Sequence, residues 1–201
     1  MPSASVQGRL LDAQGNPLAG LEVSAVQATG SEPGHQGLLV VGKSTTRPDG
    51  SFDLRALLGH LRVLVRAQGA PTVYLPSLGP DFELKTPGMT LVGMDLTLTA
   101  ARSASLAVAI TPIHGAQQED SLVLEQILTV EGVDYVLPVA SLKPAIAGDQ
   151  EVVSFPNQPP GTYAASLWRS ETTGTHAQSG TAKATVALAE GATLEVPLTV
   201  K

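Results

Sequence analysis

The side chains able to do chemistry are few and scattered. His35, His60, His114 and His176 stand singly, with none of the H-x-H or H-E-x-x-H spacings that bring two imidazoles to one metal. His60 falls on the polar side of a strand pattern and the other three in loop-like stretches, so the chain is expected to hold no metal and no cofactor. Cysteine is absent, which removes thiolate ligands, a thiol nucleophile and disulfides. No Gly-x-Ser-x-Gly elbow exposes a serine for attack. The carboxylate pairs Glu119-Asp120 and Asp81 with Glu83 have the chemistry of acid and base or of a calcium site. They lack the Asp-x-Asp-x-Asp-Gly spacing and read as solvated loop charge. Lys43 has the chemistry to donate an isopeptide bond between strands, but its neighbours Gly42 and Ser44 suggest a strand end rather than a core position. Trp168 is the sole tryptophan, too little aromatic surface for a row of sugar platforms; it suits a protein contact or the edge of a core. Catalytic residues are therefore expected to be none.

These residues sit on strand patterns. Leu21, Val23 and Ala25 alternate with Glu22 and Ser24, while Leu61, Val63 and Val65 share one face of a segment whose other face carries His60, Arg62, Leu64 and Arg66. Such period-two alternation places one face in a core and the other in solvent. Met94-Asp95-Leu96-Thr97-Leu98-Thr99 behaves alike, and further strands are expected near residues 4–11, 38–45, 51–54 and 72–75. Gln14-Gly15-Asn16-Pro17, Pro48-Asp49-Gly50 and Gly79-Pro80-Asp81 punctuate them with turn-forming residues. Twenty Gly and fifteen Pro fit frequent turns better than helices.

The second half follows the same scheme. Leu106, Val108 and Ile110 line one strand, Tyr163, Ala165 and Leu167 a later one, and Leu194, Val196, Leu198 and Val200 the last. Asp95-Leu96-Thr97-Leu98-Thr99 and Glu195-Val196-Pro197-Leu198-Thr199 lie one hundred residues apart, and Gly59 and Gly161, each opening a strand, are offset by about as much. The reading is an all-β chain of two tandem sandwiches, residues 1–101 and 102–201, each of about seven strands. Residues 28–37, 112–120 and 170–180 are expected loops.

Three motifs in the first half resemble the carboxypeptidase regulatory-like family. Val6-Gln7-Gly8-Arg9-Leu10-Leu11-Asp12 running into Gly15-Asn16-Pro17-Leu18-Ala19-Gly20-Leu21-Glu22-Val23 is similar to its opening strand, turn and second strand. Thr46-Arg47-Pro48-Asp49-Gly50-Ser51-Phe52 is similar to its T-x-x-D-G-x-F turn. Leu58-Gly59-His60-Leu61 stands where the family writes Pro-Gly and, two residues after the Gly, Tyr. The second half writes Pro160-Gly161-Thr162-Tyr163 there, with Phe155 preceding it as Phe52 precedes Gly59. The resemblance covers residues 4–100 and only the later part of the second half. It implies immunoglobulin-like or transthyretin-like sandwiches, a fold that serves many functions.

A net charge of -6 offers no basic face for phosphates, so nucleic acid is not an expected partner. No apolar run is long enough to span a membrane, and the opening residues Met1-Pro2-Ser3-Ala4-Ser5-Val6 are not expected to act as a leader. The functional expectation is a non-catalytic building block or decoration of a virion, tail or secretion-like particle, assembled without a signal peptide, with other protein subunits or its own copies as partners. The alternative is a secreted or cell-surface adhesion module whose leader has been removed, with carbohydrate as one ligand class. If assembly proceeds by strand addition, Thr97 marks the open edge, because Pro197 occupies the matched place in the second half.

Overall fold

A computed structural model describes residues 3–30, 35–67, 72–111, 120–147, 150–170 and 178–199, with side chains at all of these except 35, 120, 146, 147, 150, 168–170 and 178–181. The described residues form strands and turns, without a helix, hence without one long and apolar enough to cross a membrane. The chain divides into two compact units, Met1–Arg102 with Thr129–Tyr135, and Ser103–Leu128 with Val136–Lys201.

In the first unit the strands are β1 (Ser3–Asp12), β2 (Glu22–Thr29), β3 (His35–Thr45), β4 (Ser51–Leu57), β5 (Gly59–Val65), β6 (Val73–Tyr74), β7 (Ser77–Leu78), β8 (Phe82–Leu84), β9 (Thr90–Leu91), β10 (Leu96–Leu98) and β11 (Ala100–Ala101). The alternation seen in sequence is real burial: along β4 the even positions Phe52, Leu54 and Ala56 are buried between exposed Asp53, Arg55 and Leu57. β1 pairs antiparallel with β4 and parallel with β10. β2 pairs with β3 and β5, and β5 continues to β7 and β8. Val6, Leu10, Leu54 and Leu98 from the first set and Val23, Ala25, Val63 and Leu84 from the second share one apolar core, so the two sheets bury their inner faces on each other.

In the second unit, with the adjoining ends of β13 and β14 over Thr129–Tyr135 counted in the first, the strands are β12 (Ala104–Thr111), β13 (Asp120–Val130), β14 (Val133–Leu142), β15 (Ala145–Ala147), β16 (Gln150–Gln158), β17 (Gly161–Ser170), β18 (Gln178–Leu188) and β19 (Thr193–Thr199). β12 pairs antiparallel with β16 and parallel with β19, while β13 neighbours β14 and β17, and β17 continues to β18. The pairing of the first unit is thus repeated: β12 lies between β16 and β19 as β1 lies between β4 and β10, β13 between β14 and β17 as β2 between β3 and β5, and β17 beside β18 as β5 beside β7 and β8. Leu106, Val108, Leu122, Leu124, Phe155 and Tyr163 centre its core.

Local chemistry explains the turns. Asp12 accepts hydrogen bonds from the backbone N–H of Gln14 and Asn16 at 2.9 and 2.8 Å and from Asn16 Nδ2 at 2.9 Å, clasping the turn before β2. At the next turn Asp49 accepts from Ser51 N–H and Oγ at 3.0 and 2.7 Å, with Gly50 at a φ of 74° that L side chains avoid. The strand pattern misplaces Leu64: expected on the solvent face of β5, it is buried at 5% exposure. Its backbone pairs with Ser24 on one side and Leu78 on the other, so a residue central to the sheet is covered where a lone alternating segment reads as half exposed.

Candidate functional site

The polar side chains of the first unit gather at two places. On the strand pair β5 and β8, His60 Nδ1 lies 3.6 Å from Asp81 Oδ2 and its Nε2 3.5 Å from Glu83 Oε1, and Lys85 Nζ stands 3.0 Å from Glu83 Oε2. The pairing of His60 with Glu83 across the strands makes the cluster. Asp81 and Glu83 are thus brought to one histidine, a juxtaposition sequence spacing alone did not show. Lys85 donates the hydrogen bond that holds Glu83 below the usual carboxylate range, with the charges of Lys85 and His60 adding to it. A carboxylate held ionised in this way cannot serve as a general acid at neutral pH. The histidine is 70% exposed, and its two nitrogens face different carboxylates, an arrangement that surrounds no common metal position. Among the described residues no group of three His, Asp or Glu converges on one point.

Beside this cluster, a cleft of about 260 Å³ is lined by Val26, Gln27, His60, Arg62, Asp81 and Tyr135. Arg62, like Leu64 on the same expected face of β5, is misjudged by the strand pattern. Expected to face solvent with His60, it is only 12% exposed. Its guanidinium donates to the Gly79 carbonyl at 3.0 Å and to Glu131 Oε2 at 2.9 Å, and lies 5.6 Å from the centre of the Tyr135 ring. No sequence signal marks it, because Glu131 is 69 positions away.

The other place is a shallow groove of about 470 Å³ on the outer face of β1 and β4, lined by Gln7, Arg9, Arg47, Asp53 and Asp95. Gln7 Nε2 donates to Asp53 Oδ2 at 3.2 Å, the Arg9 backbone N–H to Asp95 Oδ1 at 2.9 Å, and Arg47 Nη1 to Ser51 Oγ at 3.3 Å. Mixed charge and amide groups suit a hydroxylated or zwitterionic ligand. Ser51 also lines it, its hydroxyl donating to the turn carboxylate of Asp49 at 2.7 Å.

Thr97 is exposed in the three-residue β10, opposite Leu11 of β1. The backbone of Trp168 lies in β17 opposite Ser121 and Gly180, beside a register shift at Leu167, and its side chain lies outside the described ones. His114, His176 and Glu119, and the side chains of His35 and Asp120, also lie outside them. Lys43 is exposed and pairs with Glu22 at 2.9 Å across β2 and β3. In the second unit Tyr163 is fully buried and its hydroxyl donates to the Pro159 carbonyl at 2.6 Å, the corner bond that Leu61 denies the first unit.

No family model matches the chain, and no curated protein matches it. Among solved structures, similarity covers 99% of this chain and 34% of the TIE protein of Bacillus anthracis, at 16% identity and a TM-score of 0.35. It covers 100% of this chain and 63% of a streptococcal ancillary pilin, at 16% identity and a TM-score of 0.36. Against hydroxyquinol 1,2-dioxygenase of Pseudomonas putida DLL-E4 it covers 49% of this chain and 57% of that one, at 15% identity and a TM-score of 0.33. The chain therefore spans about a third of the first of these proteins and under two thirds of the second. An ancillary pilin and a dioxygenase both match at low scores, so the likeness assigns this chain no role.

Proposed function

We propose that the chain is a non-catalytic structural protein, a building block or decoration of a larger protein assembly, made of two immunoglobulin-like or transthyretin-like sandwiches of the carboxypeptidase regulatory-like kind. The observation that carries this reading is the repeated pairing order of the two units, each with its own two-sheet core. Repetition of one scaffold multiplies its surface without creating a reaction centre, which is what a lattice subunit requires. The assembly lies outside the cytoplasm, as a virion, tail or secretion-like particle or at a cell surface, and its partners are other protein subunits and copies of this chain. Co-purification from the native source tests it: the chain is expected to sediment with particles or surface fibres, and recovery solely as a free protein in every fraction would overturn the reading.

The polar groove on β1 and β4 favours a second reading, a surface binding module for hydroxylated ligands such as carbohydrate. Glycan-array binding that disappears in an Arg9→Ala, Asp53→Ala variant would establish it, and a blank array would remove it.

A further inference from the structure

An open strand edge is a row of unpaired N–H and C=O groups, and most terminal strands here are protected. β10 and β15 have three residues each. β19 carries Glu195 and Pro197, the latter with no N–H to offer. Beside β4 the chain of β3 passes so close that a Cβ on Gly42 would lie 2.1 Å from the Arg55 carbonyl oxygen. β18 differs. It is eleven residues long, has no proline and has one charge, Lys183. Among the described residues only β17 pairs with it.

The side chains of β18 fit the same conclusion. Ala182, Ala184 and Val186 point to the core and pack against it, yet are only partly buried, while Lys183, Thr185 and Ala187 between them are exposed. Their strand neighbours in β17, Leu167, Ala165 and Tyr163, are all at 1% exposure or less. Among the described residues nothing completes the core of the second unit along this flank, and one further strand with apolar residues at alternate positions would finish it.

We propose that this strand is β18 of a second copy of the chain, running antiparallel in a register centred on Ala184. Charge selects the register. Centring on Lys183 would set two ammonium groups opposite each other, which is destabilising. Centring on Ala184 sets Lys183 against Thr185 and Ala182 against Val186, so apolar meets apolar on the core face and each cation meets a hydroxyl on the outer face. A two-fold contact of this kind satisfies both edges at once and closes. It deepens the assembly reading above and rests on it, since copies of the chain are there counted among the partners.

The absence of cysteine makes the test clean. Opposed antiparallel residues have Cα atoms about 4.5–5.5 Å apart, within disulfide reach. An Ala184→Cys variant of the full chain under mild oxidation is expected to form a covalent dimer at least tenfold faster than Val92→Cys, a control thiol at a position 67% exposed in the first unit. Light scattering is expected to give twice the chain mass for the unaltered protein and the single-chain mass for Ala184→Lys, with unchanged far-ultraviolet circular dichroism. Equal cross-linking rates for the two thiols, or a single-chain mass for the unaltered protein at about 1 mM, overturn the proposal. If Ala184→Lys fails to fold, the cysteine pair decides alone, because it changes little volume. Particle co-purification unchanged in a variant whose parent does not dimerise would sink this edge contact and leave the assembly reading standing.

Discussion

The two units share one pairing order but close it differently. In the first, the parallel contact between opening and closing strands is broken: Ser5 and Val6 meet Thr90 and Leu91, then Leu10 to Asp12 meet Leu96 to Leu98. Between them Gly8 lies against the Met94 carbonyl, where a Cβ would come within 1.9 Å. In the second unit the same contact runs unbroken from Ser105 with Thr193 to Thr111 with Thr199. The corner differs as well. Tyr163 is anchored to Pro159 in the second unit, whereas Leu61 in the first supplies packing alone. The difference teaches that strand order is set by alternation and turn positions, whereas the means of closing each end is local and replaceable.

Substitutions should therefore act on one unit at a time. The largest effect is expected from Gly8→Ala, whose methyl group meets the Met94 carbonyl and the Phe52 ring at 2.9 Å, in a backbone that cannot yield without losing β1 pairing. A loss of about 3 kcal/mol in the first unit is expected. Calorimetry should show its transition lowered and that of the second unit unmoved.

Gly161→Ala comes next. Both Gly161 and Gly59 have positive φ, at 153° and 137°. A Cβ on Gly161 meets the Nε2 of Gln126 at 3.0 Å, and Gln126 is buried. On Gly59 the contact is with Gln27 at 3.9 Å, and Gln27 is exposed and free to give way. The cost should be about 2 kcal/mol at Gly161 and about 1 kcal/mol at Gly59, measured by urea unfolding. Equal costs would break the contrast.

Tyr163→Phe removes only the hydroxyl bond to Pro159, for a loss of about 1 kcal/mol. The remaining prediction concerns acid. Hydrogen bonds from Asn16 to Asp12 and from Ser51 to Asp49 hold both carboxyls below their ordinary range in the folded first unit. A carboxyl with a lowered folded pKa contributes stability that is present above its unfolded value and is lost as the pH falls through the folded one. The first unit should thus weaken from about pH 4 downward. Both groups are fully exposed, so the effect is the smallest of the four. An Asp12→Asn, Asp49→Asn variant should show a flatter decline in denaturation series over that range.

Much of this was legible where the apolar residues are large. Leu106, Val108 and Ile110, or Phe52 and Leu54, announce their strands because each inward side chain is bulky and each outward one small or polar. β18 was not legible as a strand: its inward residues Ala182 and Ala184 bury so little area that the alternation has almost no amplitude, and its upper part fell within a stretch read as a loop. Which edges stay open was beyond reach, since an edge is defined by the strand that fails to arrive. Thr97 illustrates this. Its matched place to Pro197 was visible, but not that β10 would hold only three residues. The ion cluster at His60 was half visible, as an Asp81 and Glu83 pair without the histidine that β5 and β8 pairing brings beside them.

The repeated pairing order is the claim on which the rest depends, and backbone nuclear Overhauser contacts in the labelled full chain test it most directly. Leu10 should contact Leu96 in the first unit and Val108 should contact Val196 in the second, both in parallel register. Antiparallel contacts, or none, between the opening and closing strands of either unit would contradict it.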